Sequence, residues 1–303
     1  MYKLGLFVPT LKKDYNKVSA SIWIRVYQMV KYYESFGIKV YINNPFIKYD
    51  ATIFYRWSND ASLNIIKYLK KISNKVYWDT CVNYYELHSN TNEKQVDITK
   101  QISSIVDGVI TSTDEISNRA RLYNENIFVM DDPVDFEHFK YKKYDVNFND
   151  PIYGWSGISS KANFLNKYKD NIKNLTIISN NKPTLDMNCE FYKWRYESFP
   201  YFISKIDTAL LPREFKNNPY NIAHSSFKAL VFAAQGIPII ANKLPSYEKL
   251  SSRYQGIVFL EDFDNLNEAQ ESLKTRSLQI DSLKEYYSCE NQAFRLLKYL
   301  GVI

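Results

Sequence analysis

Glycine is scarce in this 303-residue chain, eight in all, and cysteine scarcer still at three. Cys81, Cys189 and Cys289 lie far apart with no C-x-x-C pair, which argues against a disulfide framework or a zinc site. They read as small buried hydrophobes in a protein of a reducing compartment. No window approaches 18 uninterrupted apolar residues, and the opening MYKLGLFVPTLKK has neither a long apolar core nor a small-residue cleavage site. The chain therefore reads as cytoplasmic and soluble, with no transmembrane segment and no secretion signal. Clustered charge is lacking too. Lys and Arg (39) exceed Asp and Glu (33) for a net +6, but the basic residues are scattered, as in Lys70–Lys71 and Lys140, Lys142 and Lys143. That gives poor support for a nucleic-acid partner and leaves room for an anionic ligand or for peripheral contact with an anionic surface.

Apolar segments, by contrast, recur throughout. Runs at 2–8, 38–42, 51–56, 75–80, 108–112 and 126–132 read as strands, separated by amphipathic stretches within 19–37 and at 60–72, 93–106 and 113–123 that read as helices. Residues 133–150 have no clean period and read as a linker. The rhythm then restarts, with strands at 151–157, 174–180, 207–212, 236–242 and 256–260 and helices at 160–169, 224–235, 245–251 and 265–274. Such alternation predicts an α/β protein with two Rossmann-like domains facing a central cleft, 1–147 and 148–288, and a last helix within 289–303 packing back toward the first domain. Ligands of such sheets sit outside the carboxyl ends of the strands. Tyr (26) and Phe (18) are frequent, which biased coding composition explains more readily than aromatic platforms for sugar rings.

The stretch HSSFKALVFAAQGIPIIAN (224–242) places a lysine, Lys228, among apolar residues just after two serines. Amides at the start of that helix, the Ser225 and Ser226 hydroxyls and the Lys228 ammonium could together bind a diphosphate. Equally, the serines could cap the helix while Lys228 reaches water along its apolar face.

The order DTALLP, loop, SSFKALVFAAQGIPIIAN resembles the carboxyl-terminal domain of GT-B fold glycosyltransferases, family 4 above all, where a helix reading roughly S-x-x-K-x-x-E-x-x-A-x-G-x-P-V follows such a strand. VDGVITSTDEISNRARLYNENIFVMDDPVDFEHF (106–139) is similar to the end of that family's first domain, and YGWSG (153–157) to the turn after the first strand of its second. The resemblance implies a nucleotide-sugar domain at 148–288, an acceptor-side domain at 1–147, and donor contacts from Gly154, Ser156 and Gly157. Two glutamates common in the family are replaced by Ala223 and Val231. An arginine of the first turn is replaced by Trp155, leaving Lys161 as the second cation.

Further candidates follow from strand ends and loops. Asp79 closes KVYWDT and is the preferred catalytic group of the first domain, with His88 nearby; Arg56 closes ATIFYR, and a buried Arg–Asp pair is the competing reading of both. Arg25, with Ser19 and Ser21, could approach phosphate or sugar hydroxyls, or make a surface ion pair. Trp194 and Arg195 lie in YKWRY, a loop where the family reads the base, and Glu214 and Asn221 flank the phosphate loop. Asp262-Phe263-Asp264 has the D-x-D form of a metal motif but reads as a solvated turn, so no metal and no cofactor beyond the nucleotide sugar are expected. The implied activity is hexose transfer from a nucleoside diphosphate sugar, GDP-mannose first and a UDP-sugar next, to a glycan hydroxyl with retention. The route would be front-face, the departing phosphate helping to deprotonate the acceptor, with Asp79, Lys228 and Arg25 as the catalytic candidates, and a homodimer is allowed. A nucleotide-sugar epimerase and a non-catalytic nucleotide-sugar or glycan-binding protein stand as the rival readings.

Overall fold

A computed structural model describes residues 1–9, 19–89, 91–140, 145–213 and 218–303. The chain forms two compact units, one of Met1–Pro133, Asn217–Ser225 and Tyr287–Ile303, the other of Val134–Lys216 and Ser226–Tyr286.

Among the described residues the first unit holds a six-stranded parallel sheet of β1 (Lys3–Phe7), β2 (Lys39–Ile42), β3 (Tyr49–Tyr55), β4 (Ser73–Thr80), β5 (Gly108–Thr111) and β6 (Ile127–Val129). Its order is β2-β1-β3-β4-β5-β6, with Phe7 opposite Phe54 and Asp79 opposite Ile110. The central strands are buried on both faces, which is why they read as unbroken apolar runs rather than alternating ones. The helix Asp60–Ile72 starts on a capping box between Asn59 and Ser62 and buries Ile66 and Leu69 against the sheet side of its turn. At the end of the chain, Cys289–Tyr299 is capped by Ser288, and its Ala293, Leu296 and Leu297 join the core of Leu4, Leu6, Ile53 and Met29.

One expected helix is broken. The run after Ser19 divides into Ala20–Arg25, a 3-10 turn Tyr27–Met29 and Val30–Ser35, with Val26 out of helical conformation at φ −122°, ψ −72°. The break follows a fully buried arginine whose guanidinium is fixed from other strands, and Gln28 Nε2 donates to Ile24 O at 2.8 Å, satisfying a carbonyl beside it.

The second unit holds β7 (Ile152–Gly157), β8 (Asn174–Ser179), β9 (Glu190–Lys193), β10 (Thr208–Leu211), β11 (Ile239–Ala241) and β12 (Ile257–Phe259), all parallel in the order β12-β11-β10-β7-β8-β9. β9 was not expected: Tyr192 and Lys193, read as loop, pair with Ile178 and Ser179 at the sheet edge. The helix that leads into β11 spans Phe227–Ala233, shorter than its pattern suggested. It ends where Gly236 takes φ 73° and Ile237 N donates back to Phe232 O, a left-handed cap that favours glycine.

Candidate functional site

Strand order in the second sheet reverses between β7 and β10, and ligands of such sheets sit at the carboxyl side of that point. Three cations are brought there by local sequence. Lys161 lies in the 3-10 helix Ser159–Tyr168 after β7, Arg213 stands two residues past β10, and Lys228 lies on Phe227–Ala233. On that helix Ala229 to Ala233 are all buried, so Lys228 is a polar exception on an apolar element.

The Lys228 ammonium sits 4.5 Å from the centroid of the Trp155 ring. Gly157 is needed beside it: a Cβ there would fall 2.8 Å from Nζ and 2.6 Å from the indole. Burial, then the nearby Arg213 and Lys161 charges, pushes Lys228 well below the ordinary lysine value, and burial followed by Arg213 lowers Lys161. The Arg213 amide is pinned to Asn242 Oδ1 at 2.6 Å, while its Nη1 is buried without a hydrogen-bond partner. Arg213 also lines a cavity of about 740 Å³ with Asn242 and Glu261. Among the described residues no carboxylate makes an ion pair with Lys228 or Arg213. A bound anion would relieve both the desolvation and the mutual repulsion of such like charges.

The other expected donor residues are dispersed. Gly154 is a packing glycine whose absent Cβ makes room for the Ile206 side chain, and Ser156 is buried on the same strand. Trp194, past β9, donates its amide to Ser179 O at 2.7 Å and packs on Phe199, while Arg195 is exposed. Glu214 lies outside the described residues. Asn221 belongs to the short helix Pro219–Ile222 of the first unit. Ser226 caps the Lys228 helix by position but makes no side-chain cap bond. Ser225, expected to offer its hydroxyl to a phosphate, donates instead to Asp132 Oδ2 at 2.6 Å. Asp262 and Asp264 are exposed, and the described residues contain no metal-holding group of three or more His, Cys, Asp or Glu.

In the first unit Arg25 and Asp79 do come together, as a buried pair. Arg25 Nε donates to both Asp79 oxygens at 2.9 and 3.1 Å, and Nη1 to Met130 O and Asp132 Oδ1, each at 2.8 Å. One guanidinium thus serves two carboxylates. Asp79 is pushed up to about 6, mainly by burial, with Arg25 opposing and Asp132 adding to the rise. The Arg56 side chain does not join them; Asp132, which does, carried no local signal, since it stands 107 residues from its partner. Arg213, by contrast, was findable from its place just past a strand end. His88 is held by the Asn83 carbonyl at 2.6 Å from Nε2.

No family model matches the chain, and no curated protein matches it in sequence. Solved structures do match. Sucrose-phosphate synthase from Thermosynechococcus elongatus aligns over 99% of this chain and 95% of its own at 12% identity, TM-score 0.66. Anabaena HepE in complex with UDP and glucose aligns over 99% and 96% at 10% identity, TM-score 0.61. The UDP-GlcNAc 2-epimerase from Methanocaldococcus jannaschii aligns over 99% of both chains at 12% identity, TM-score 0.54. At these identities the likeness is one of fold: the chain has the α/β GT-B architecture of these neighbours. No helix among the described residues is long and apolar enough to cross a membrane.

Proposed function

We propose that the chain is a glycosyltransferase of the family 4 type, moving a hexose from a nucleoside diphosphate sugar to a hydroxyl of a glycan acceptor with retention. The observation that carries this reading is the cation group at the switch point of the second sheet, where Lys228 and Arg213, beside Lys161, make no ion pair with a carboxylate among the described residues. A diphosphate supplies the missing charge, and its own charge grows as the glycosidic bond breaks. Preorganised cations then stabilise the departing group more than the bound donor, which is what accelerates transfer. Burial and the neighbouring cations hold Lys228 well below the ordinary lysine value, and a bound diphosphate would favour its charged form. A front-face route, in which the departing phosphate helps deprotonate the acceptor hydroxyl, suits a site whose polar groups are cations. Three such charges can do the neutralising that a divalent metal does elsewhere, so the reaction is proposed to need no metal.

UDP-glucose is the first donor to try, because a protein of this fold is known with UDP and glucose, and GDP-mannose the second. Lys228→Met should weaken binding of the productive donor in calorimetry and lower turnover by about 10²-fold or more. Unchanged donor affinity and turnover would remove the diphosphate role. Turnover in excess EDTA should equal that in buffer alone; a loss restored by added Mg²⁺ or Mn²⁺ would refute the metal-free route.

A second reading has one observation in its favour: the epimerase aligns across 99% of both chains. Incubation with donor alone separates the two, since an epimerase yields a new nucleotide sugar without acceptor and a transferase does not.

A further inference from the structure

The first sheet reverses its strand order between β1 and β3, and a cavity of about 570 Å³ lies there, lined among others by Pro9 after β1 and by Arg56 and Trp57 after β3. Arg56 adopts φ 66°, a left-handed backbone that costs a non-glycine residue about 1 kcal/mol, and its amide holds that bend by donating to Asp79 O at 2.8 Å. Its part-buried guanidinium is hydrogen-bonded, among the described residues, to hydroxyls: Nε donates to Tyr84 Oη at 3.2 Å and Nη1 to Ser21 Oγ at 2.8 Å, with the Cys81 thiol nearby. Among the described residues no carboxylate pairs with it, in contrast to Arg25, which has two. The acid on the cavity wall, Asp60, is already paired to Lys94 at 2.5 Å.

Two helices begin at the same cavity. Asp60–Ile72 and Glu93–Ile105 have 13 residues each, and their N-cap residues Asn59 and Asn92 are part of the lining. Both therefore present the positive ends of their dipoles there, adding to the guanidinium. A strained backbone that delivers a cation with no carboxylate partner among the described residues, in a cavity at which two helices begin, is suited to receive negative charge.

We propose that this cavity binds the acceptor through an anionic group, a phosphate ester or a carboxylate, which completes the ion pair of Arg56 while the sugar ring lies against Trp57. This deepens the transferase reading, on which it depends for the role of acceptor; the anion site itself stands on Arg56 and its surroundings. The bidentate geometry of a guanidinium suits both groups.

The test is calorimetric titration of the full chain, without nucleotide, using glucose 6-phosphate, glucuronate, inorganic phosphate and glucose. At least one charged sugar should bind about tenfold or more tightly than glucose, and which one distinguishes phosphate from carboxylate recognition. Arg56→Gly should abolish that preference while keeping or raising the melting temperature, since glycine accepts the left-handed backbone; Arg56→Lys should keep part of it. Lys228→Met should leave it intact, which separates this cavity from the diphosphate site. If Lys228→Met shows native nucleotide affinity, the transferase reading fails while the Arg56 result still decides the anion site. Equal binding of glucose and both charged sugars, no binding of any charged probe, or a preference lost in Lys228→Met and kept in Arg56→Gly would overturn the proposal.

Discussion

Arg25 shows how much one buried side chain can depend on the rest of a fold. Its guanidinium is wholly enclosed, bridges Asp79 and Asp132, and leaves Nη2 buried without a partner. Removing it strands two carboxylates in a dry environment, whereas removing one carboxylate leaves a matched pair. Arg25→Met should therefore destabilise the protein by roughly 3–5 kcal/mol in urea unfolding, and Asp79→Asn by much less. Similar losses for both would show that the second carboxylate is not in surplus. The sequence made the two residues visible as candidates. It could not show that they meet, because 54 positions separate them and their contact is set by sheet order alone. Lys228 was more legible, because a cation on an otherwise apolar helix violates the local pattern.

Elements were easiest to find where burial was most complete. β3, β5 and β10 are apolar on both faces and are plain in the sequence; β9 has four residues, an exposed first and last position and a sheet edge, and EFYK has no periodicity to betray it. The first amphipathic run misleads for a different reason: its period is continuous, but tertiary contacts around Arg25 break the helix at Val26. Where a terminator was written into the sequence it acted as expected, as at Gly236. Gly236→Ala places a Cβ in a left-handed cap and should cost about 1 kcal/mol in the same unfolding assay with secondary structure retained. No loss would mean that the helix end relaxes into another conformation.

For the molecule as a whole, the cations of the second unit tie folding, binding and pH together. Lys228 titrates below its ordinary 10.5 in the empty protein, so between the two values the unfolded chain holds more protons and the empty protein gains stability as pH rises. Diphosphate favours the charged ammonium, so affinity runs the opposite way, falling as pH rises through the depressed Lys228 value, and binding in that range takes up a proton. Calorimetry in buffers of different ionisation enthalpy should detect that uptake in the native chain and not in Lys228→Met; identical proton balances would exclude Lys228 as its source. The same lysine also has an optical consequence. Indole emission responds to a charge held over the ring, and Trp155 has one at 4.5 Å. Whatever titrates that ammonium or draws it aside will change the intrinsic fluorescence of the unlabelled chain, so occupancy can be followed in real time with nothing attached.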